Sequence, residues 1–118
     1  MVIRTYIFAG LLLLLVNPGA HAQDYDVFND CTVRARSALG IVSEAAAFLC
    51  QGTTTVEGPL HCVQTARSRV SWIDAFDPIR LCVAASEAQE RVSCFQESRN
   101  RRHSTAMGIV GCGGRLTW

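Results

Sequence analysis

The sequence predicts a small all-α domain stapled by disulfides, and three observations carry that prediction. The chain has 118 residues, 49% of them hydrophobic and 18% charged, which is the composition of a globular protein rather than a disordered one. Apolar residues recur at helical spacing, whereas alternating strand patterns are nearly absent. Six cysteines follow a segment that resembles a secretory leader. We therefore expect a bundle of about three helices.

Residues 1–22 have the pattern of a signal peptide. Arg4 supplies the positive charge, residues 7–16 form an apolar run, and a small-x-small cleavage pattern ends at Ala22. The alternative is an uncleaved membrane anchor, but this run is about half of the ~20 residues that cross a bilayer. Cleavage leaves residues 23–118, so we expect a secreted, extracellular protein without stable membrane insertion.

The charge balance argues against a nucleic-acid-binding protein. The formal net charge is +1, and without Arg4 the remaining arginines equal the acidic residues in number. Phosphate contacts supply most of the affinity for nucleic acid, and such a surface needs an excess of basic residues. We therefore expect no nucleic-acid partner.

The firmest helix prediction covers residues 24–51. Apolar residues recur every seven positions along one face, from Phe28 to Leu49. Gly52 closes the end, and Gly40 is the one weak position inside the helix. This pattern predicts one continuous helix.

Two further helices are expected after a threonine-rich loop. The second begins near Pro59, which suits a first helical turn, and ends near Phe76. The third begins at Asp77-Pro78, a cap followed by a first-turn proline, and runs to about Arg99. The expected inward stripe of the second helix consists of Val63, Ala66, Val70 and Ile73.

The helical pattern dissolves after these helices into small residues. Residues 103–118 are rich in glycine and are expected to form a C-terminal tail, whereas residues 23–102 form the disulfide-rich domain. The tail contains Cys112, through which it would stay tethered if the chain were cut.

A weak internal repeat underlies the cysteine spacing. Cys31, Cys62 and Cys94 recur at intervals of 31 and 32 residues, and each is followed by an arginine-containing segment and a second cysteine. Periods of this size can mark duplicated helical units. Because Pro78 interrupts the middle unit and little else matches, we favour chance similarity between amphipathic helices.

The cysteines are expected to form three structural disulfides. Their number is even, and no pair has the spacing of a zinc site, so a metal site is not expected. The residues concerned are Cys31, Cys50, Cys62, Cys82, Cys94 and Cys112.

Helix geometry restricts the pairing. Cys31 and Cys50 lie on one predicted helix and would be about 28 Å apart, far beyond the roughly 7 Å between Cα atoms of a disulfide. The same argument excludes Cys82–Cys94. Matching heights in an up-down-up bundle favours Cys31–Cys82, Cys62–Cys94 and Cys50–Cys112, with Cys50–Cys62 as the close competitor.

The most specific local motif is the R-x-R-R sequence formed by Arg99, Asn100, Arg101 and Arg102. It resembles a furin-type proprotein convertase site, cut after Arg102, because acidic protease pockets bind closely spaced arginines. The alternative is a solvated basic helix end that complements the negative end of the helix dipole. The sequence leaves both open.

Three aromatic residues are candidate binding residues. Trp72 and Phe76 precede the turn before the third helix, and Trp118 ends the chain. Exposed aromatic side chains often anchor a partner protein or ligand. The alternative is that Trp72 and Phe76 seal the end of the core.

No catalytic motif, phosphate loop or metal-ligand spacing occurs, so we expect neither an enzyme nor a cofactor. The leading hypothesis is an extracellular protein or peptide-type ligand, or an interaction module, that contacts a receptor or another protein. One alternative is a carrier of a small apolar molecule. Another is a defence or membrane-active protein, which the balanced charge disfavours.

Overall fold

The computed structural model describes residues 18–117, with side chains described for residues 25–87 and 90–117. The described backbone forms six helices and no strand, which confirms the all-α prediction. The helices are α1 (Pro18–Leu39), α2 (Ser43–Cys50), α3 (Glu57–Arg69), α4 (Asp77–Leu81), α5 (Ala88–Asn100) and α6 (Thr105–Gly111).

Long and short helices alternate along the chain. The short helices α2, α4 and α6 each pack against the long helix that precedes them. The long helices lie side by side in the order α1, α3, α5, and α4 lies between α2 and α6. The fold is therefore two layers of three helices.

Contacts at both ends show that α1 and α3 run in the same direction. Arg34 of α1 forms an ion pair with Glu57, the first residue of α3. Near the other end of α3, Arg67 Nη1 donates to the carbonyl oxygen of Leu39, the last residue of α1, at 3.0 Å. The carboxyl ends of α1 and α3 therefore meet at one end of the molecule, which we call the C-terminal pole.

The helices α3 and α5 are parallel as well. Gly58, at the start of α3, lies against the carbonyl of Ala85, shortly before α5, so closely that a Cβ atom has no room there. Beyond the end of α3, the Ser71 carbonyl accepts a hydrogen bond from Arg99 Nη1 in the last turn of α5, at 3.2 Å. All three long helices thus end at the C-terminal pole.

The core lies between the two layers and draws on most helices. Its largest fully buried side chains are Phe95, Leu49, Ile79, Leu81 and Ile109. Buried alanines on α1, α2 and α3 let these helices approach closely. No charged or polar side chain is buried among the described residues, so apolar burial supplies the stabilisation of this core.

All six cysteines are disulfide-bonded, but the predicted pairing is wrong. The bonds are Cys31–Cys50, Cys62–Cys82 and Cys94–Cys112, with sequence separations of 19, 20 and 18. Each joins a long helix to the end of the short helix that follows it. The expected pairs Cys31–Cys82, Cys62–Cys94 and Cys50–Cys112 are not formed.

The Cys31–Cys50 disulfide requires a break in the predicted first helix, which the spacing of apolar residues did not indicate. The predicted helix over residues 24–51 is interrupted after Leu39, where Gly40 adopts φ +65°, a left-handed conformation that glycine reaches without steric cost. The chain then reverses into α2, and the Cα atoms of Cys31 and Cys50 come within 5.9 Å. The exclusion of this pair rested on a continuous helix that does not exist.

The second predicted helix ends early, and this changes the environment of Ile73. The helix stops at Arg69, and Val70 has extended backbone angles of −127° and 138°. The Ala66 carbonyl accepts both the Val70 amide and the Trp72 indole N–H, at 3.0 and 2.9 Å. Ile73, which was expected inside, is therefore fully exposed.

The third predicted helix is also divided. Its start at Asp77 is confirmed, but the chain leaves the helix after Leu81, and Ala84 adopts φ 54°. Arg91 Nη1 donates to the carbonyls of Leu81 and Val83, at 3.0 and 2.7 Å. A side chain from α5 thus satisfies the carbonyls that a continuous helix would have used.

The segment predicted to be a tail contains the helix α6. Ser104 Oγ caps its start by accepting the Met107 amide at 3.2 Å. Ile109 is fully buried, and Gly108 lies against the ring of Phe95. The serine cap was the sequence signal for this helix, although the glycine content concealed it.

The weak sequence repeat has a structural counterpart. A long helix, a short helix and one disulfide between them occur three times. The arginines of the repeated segments, Arg36, Arg67 and Arg99, each lie in the last turn of a long helix. We call these three disulfide-linked helix pairs the first, second and third units.

Candidate interaction surface

An exposed apolar surface lies at the C-terminal pole, where the link after α1 meets the loop after α3. Val42 and Ile73 are 65% and 108% exposed, and Phe76 is 38% exposed. We call these three residues the corner patch. Val42 and Phe76 line the same cavity, and Ile73 lies in the same loop three residues before Phe76. Single exposed apolar residues are ordinary, whereas several in one region indicate an interaction surface.

A small cavity of about 210 Å³ opens beside the corner patch. Val42 and Phe76 line it on the outside, and Arg67 is the one charged side chain in its lining. The other lining residues are Gly40, Ile41, Ala45, Ala75 and Ile79. The cavity can hold an apolar side chain and places a guanidinium group at its edge.

Trp72 holds the loop that carries the corner patch. Its indole N–H donates to the Ala66 carbonyl at 2.9 Å, and its ring centroid lies 4.8 Å from that of Phe95. The side chain is half-buried against the core. Trp72 thus anchors the loop, and its neighbour Ile73 is the residue that faces solvent.

A network around Asp74 rigidifies the same loop. The carboxylate accepts the Phe76 amide at 2.8 Å and a hydrogen bond from Arg80 Nη1 at 3.0 Å. Arg80 Nη1 also donates to Asp77 at 2.9 Å, and its guanidinium lies 5.8 Å from the centroid of the Phe76 ring. These contacts hold the backbone and the ring of Phe76 in place beside the cavity.

The same network shifts two pKa values. The pKa of Asp74 lies below its ordinary value of 3.8, chiefly because the carboxylate accepts the Phe76 amide and further because Arg80 donates to it. Burial acts to lower the pKa of Arg80, but its hydrogen bonds to Asp74 and Asp77 raise it overall. The Asp74 carboxylate is therefore paired with Arg80 of α4.

The surroundings of the corner patch are basic. Each long helix ends with arginine in its last turn, and these residues are Arg36, Arg67, Arg69 and Arg99. Cations at these positions complement the negative ends of the helix dipoles. Arg80 pairs with both Asp74 and Asp77, so these three side chains together carry one negative charge, and the four arginines at the helix ends outnumber it.

The predicted processing motif lies at the end of α5. The Arg102 amide donates to the Arg99 carbonyl at 2.9 Å and the His103 amide to the Ser98 carbonyl at 3.1 Å, which is a Schellman turn. Arg102 occupies its left-handed position, with φ 63°. The side chains of Arg99, Arg101 and Arg102 are exposed, yet the backbone is coiled rather than extended.

The side chains of two predicted site residues, Ala22 and Trp118, lie outside those that the structure describes. Ala22 lies within α1, and Trp118 lies outside the described residues. Residues 1–17 lie outside them as well. The signal peptide, the cleavage after Ala22 and the binding role of Trp118 therefore stay predictions.

Sequence reasoning missed two of the three corner-patch residues. Val42 and Ile73 were placed on the buried faces of helices that do not extend so far. The available signals were Gly40 and the run from Val70 to Ile73, where β-branched and aromatic residues have low helix propensity. Phe76 was identified from its sequence position.

No helix among residues 18–117 combines the length and apolarity needed to cross a membrane. Within the described side chains, no group of three or more histidine, cysteine or acidic residues is placed to hold a metal ion. Comparisons of the chain with family models, curated proteins and solved structures found no match. The chain is a small, disulfide-rich helical protein, and its site must be interpreted from its own chemistry.

Proposed function

We propose that this protein is a secreted, non-enzymatic interaction module that binds an extracellular protein through the corner patch. The single observation that carries the proposal is the exposure of Val42 and Phe76 on a cavity that Arg67 also lines, with the fully exposed Ile73 in the same loop as Phe76. A surface of this kind loses water from apolar groups on binding and contributes to affinity.

Three disulfides favour an oxidising compartment. Disulfides persist outside the cell and are rare in a reducing cytosol. Together with the leader predicted over residues 1–22, they support secretion. A small domain also needs such cross-links, because its core is limited.

The partner segment is expected to combine an apolar side chain with flanking carboxylates. The apolar side chain fits the cavity beside Phe76, and a carboxylate can pair with Arg67 at its edge. The other arginines at the ends of α1, α3 and α5 increase the attraction for an acidic segment.

The carrier and membrane-active hypotheses have less support. A cavity of 210 Å³ is smaller than the roughly 300–1,000 Å³ of most small-molecule sites. The larger cavities, of about 290–430 Å³, are open depressions at the surface, and each includes polar or charged side chains. The one of about 360 Å³ also has Phe28, Ala47 and Phe48 in its lining, beside Glu44 and Gln51. A membrane-active helix is usually cationic on one face, whereas the exposed side chains of α1 are of both signs, with Asp26 and Asp30 as well as Arg34 and Arg36.

Processing after Arg102 remains part of the proposal under one condition. Proteases bind their substrates as extended strands, whereas the backbone from Arg99 to His103 is a helix end with a Schellman turn. Cleavage therefore requires this turn to unwind first. The exposure of its arginine side chains supports recognition once it has done so.

An array of synthetic peptides tests the proposed binding. Pentapeptides with a central Leu, Phe or Trp between acidic residues are compared with the same peptides flanked by lysine, and with acidic peptides that have a central serine. We expect the acidic–apolar peptides to bind best, and their affinity to fall as salt rises. Equal binding of the lysine-flanked set would overturn the proposed partner chemistry.

Two matched variants locate the binding site. Ile73→Glu adds a negative charge to the corner patch at a fully exposed position, so it should leave the fold intact and reduce binding by at least about tenfold. Val110→Glu makes the same change at an exposed residue of α6 and should leave binding unchanged. Equal effects of both variants would place the site elsewhere.

A further inference from the structure

The three disulfides differ in their access to solvent. Cys31, Cys50, Cys62 and Cys82 are fully buried. In contrast, Cys94 is exposed and Cys112 is only half-buried. Thiol–disulfide exchange needs a thiolate to reach a sulfur atom directly, so the bond of the third unit is the accessible one.

Surface depressions reach this disulfide from two sides. One, of about 340 Å³, is lined by Cys94 and Cys112 together with Arg91 and Glu90. The other, of about 290 Å³, is lined by the same two cysteines together with His103 and others. A reactive thiol on another molecule can therefore approach the sulfur atoms without unfolding the core.

We propose that Cys94–Cys112 is a thiol–disulfide exchange site for dithiol reductants of the extracellular space. A thiolate of the reductant attacks Cys94 Sγ and forms a mixed disulfide while the Cys94–Cys112 bond breaks and Cys112 leaves as a thiolate. The second thiol of the reductant then attacks the mixed disulfide and releases Cys94. The protein disulfide gains two electrons and two protons, and the dithiol becomes a disulfide.

Arg91 is placed to assist the departure of Cys112. Its guanidinium lies against Gly113, the residue after Cys112, and is fixed there by hydrogen bonds to the Leu81 and Val83 carbonyls. A nearby cation stabilises a thiolate and makes it a better leaving group. Arg91 lines a depression together with both cysteines, and attack at the exposed Cys94 leaves the negative charge on Cys112, beside the Gly113 that the guanidinium contacts.

The position of this bond gives exchange a specific consequence. Residues 94–112 form a covalent ring that contains the Arg102–His103 peptide bond. If the chain is cut there, Cys94–Cys112 is the one disulfide that joins residues 103–118 to the rest of the chain. Exchange then removes the last covalent link to residues 103–118, which stay bound through the buried Ile109 and through hydrogen bonds such as that from the Arg115 amide to the Arg80 carbonyl at 2.9 Å. In the uncut chain, exchange only opens the ring.

Differential alkylation of the folded, full-length chain tests the proposal. The protein is incubated with increasing dithiothreitol, trapped with N-ethylmaleimide and mapped by peptide mass spectrometry. We expect Cys94 and Cys112 to be labelled at least about tenfold faster than the other four cysteines, which must await opening of the core. Simultaneous labelling of all six, or earlier labelling of another pair, would overturn the proposal.

A double variant provides the matched control. In Cys94→Ala/Cys112→Ala, the fast labelling should disappear while the remaining four cysteines keep their slow rate. Fast labelling of those four in a variant with native helical circular dichroism would show that the core itself is accessible, against the proposal. If the variant does not fold, the wild-type labelling order still decides, because the four buried cysteines serve as its internal controls.

Discussion

The first and third units have the same covalent plan but differ in how their short helices are held. Their disulfides close segments of similar length, with sequence separations of 19 and 18. In the first unit, five of the eight residues of α2 are buried, with Cys50 among them, and Cys31 of α1 is buried as well. In the third unit, α6 buries only Gly108 and Ile109, and Cys94 is exposed.

This difference separates two contributions of a disulfide. The loss of chain entropy in the unfolded state depends on the length of the closed segment, which is nearly equal in the two units. The protection of the sulfur atoms depends on the packing around them, which is not equal. The first unit is thus part of the core, whereas α6 is a covering element that contributes one large buried side chain, Ile109, and is cross-linked by an accessible disulfide.

Removal of a disulfide is expected to reveal the largest difference in free energy of unfolding between the first and third units. Cys31→Ala/Cys50→Ala should lower the free energy of unfolding by about 4–5 kcal/mol, because cavities in the core add to the entropic loss. Cys94→Ala/Cys112→Ala should lower it by about 2–3 kcal/mol. Guanidinium unfolding of both variants measures this, and equal losses would show that chain entropy alone matters.

Truncation of a fully buried side chain in each short helix tests the same contrast without the disulfides. Leu49→Ala in α2 should cost about 3–5 kcal/mol, and Ile109→Ala in α6 about 2–3 kcal/mol, since the outer helix can relax around the cavity. Thermal unfolding measures both. A larger loss for Ile109→Ala would show that α6 is an integral part of the core.

Substitution of one glycine in α3 and one in α6 tests how tightly the backbone is packed at these two places. In Gly58→Ala the new methyl group meets the Ala85 carbonyl, and we expect a loss of about 2 kcal/mol. In Gly111→Ala the methyl group meets nothing within 4 Å, and removing a helical glycine should stabilise by about 0.5–1 kcal/mol. Opposite signs in urea unfolding are the expected result, and a loss in both would contradict the open packing of α6.

The smallest effect concerns Asp74, which precedes α4 in the second unit. Its folded pKa lies below the ordinary 3.8, so its stabilising contribution is present above that value and is lost as pH falls through the folded pKa. Asp74→Asn should therefore be less stable than wild type at pH 7, and the two should converge in stronger acid. Urea unfolding across this range tests it, and a constant difference would exclude the carboxylate charge as the cause.

The candidate site could be predicted from the sequence only in part. Phe76 was named as a candidate binding residue from its place beside the Asp-Pro turn, with burial at the end of the core as the alternative, and the basic helix ends follow directly from the arginines. Val42 and Ile73 could not be recognised, because their spacing is that of a buried helical stripe. Their exposure depends on where the helices end.

The sequence by itself determined the helical class, the start of α4 at Asp77 and the participation of all six cysteines in disulfides. Helical periodicity, the Asp-Pro pair and an even number of cysteines are local or compositional signals, which act before the chain folds. In the sequence, the one sign of the interruption after Leu39 was Gly40, a residue of low helix propensity inside the predicted helix.

Only the tertiary structure decided where the helices break and hence which cysteines pair. The carbonyls at these breaks are bound by side chains from later in the chain: Leu39 by Arg67, Ala66 by Trp72, and Leu81 by Arg91. The bonds to Leu39 and Leu81 come from other helices and exist only when the helices have packed, so no local pattern can report them, whereas the Ala66–Trp72 bond closes a turn within one loop. The breaks after Leu39 and after Arg69 each bring a cysteine of a long helix beside that of the next short one, and the break after Leu81 starts the third unit, so the disulfides form within units.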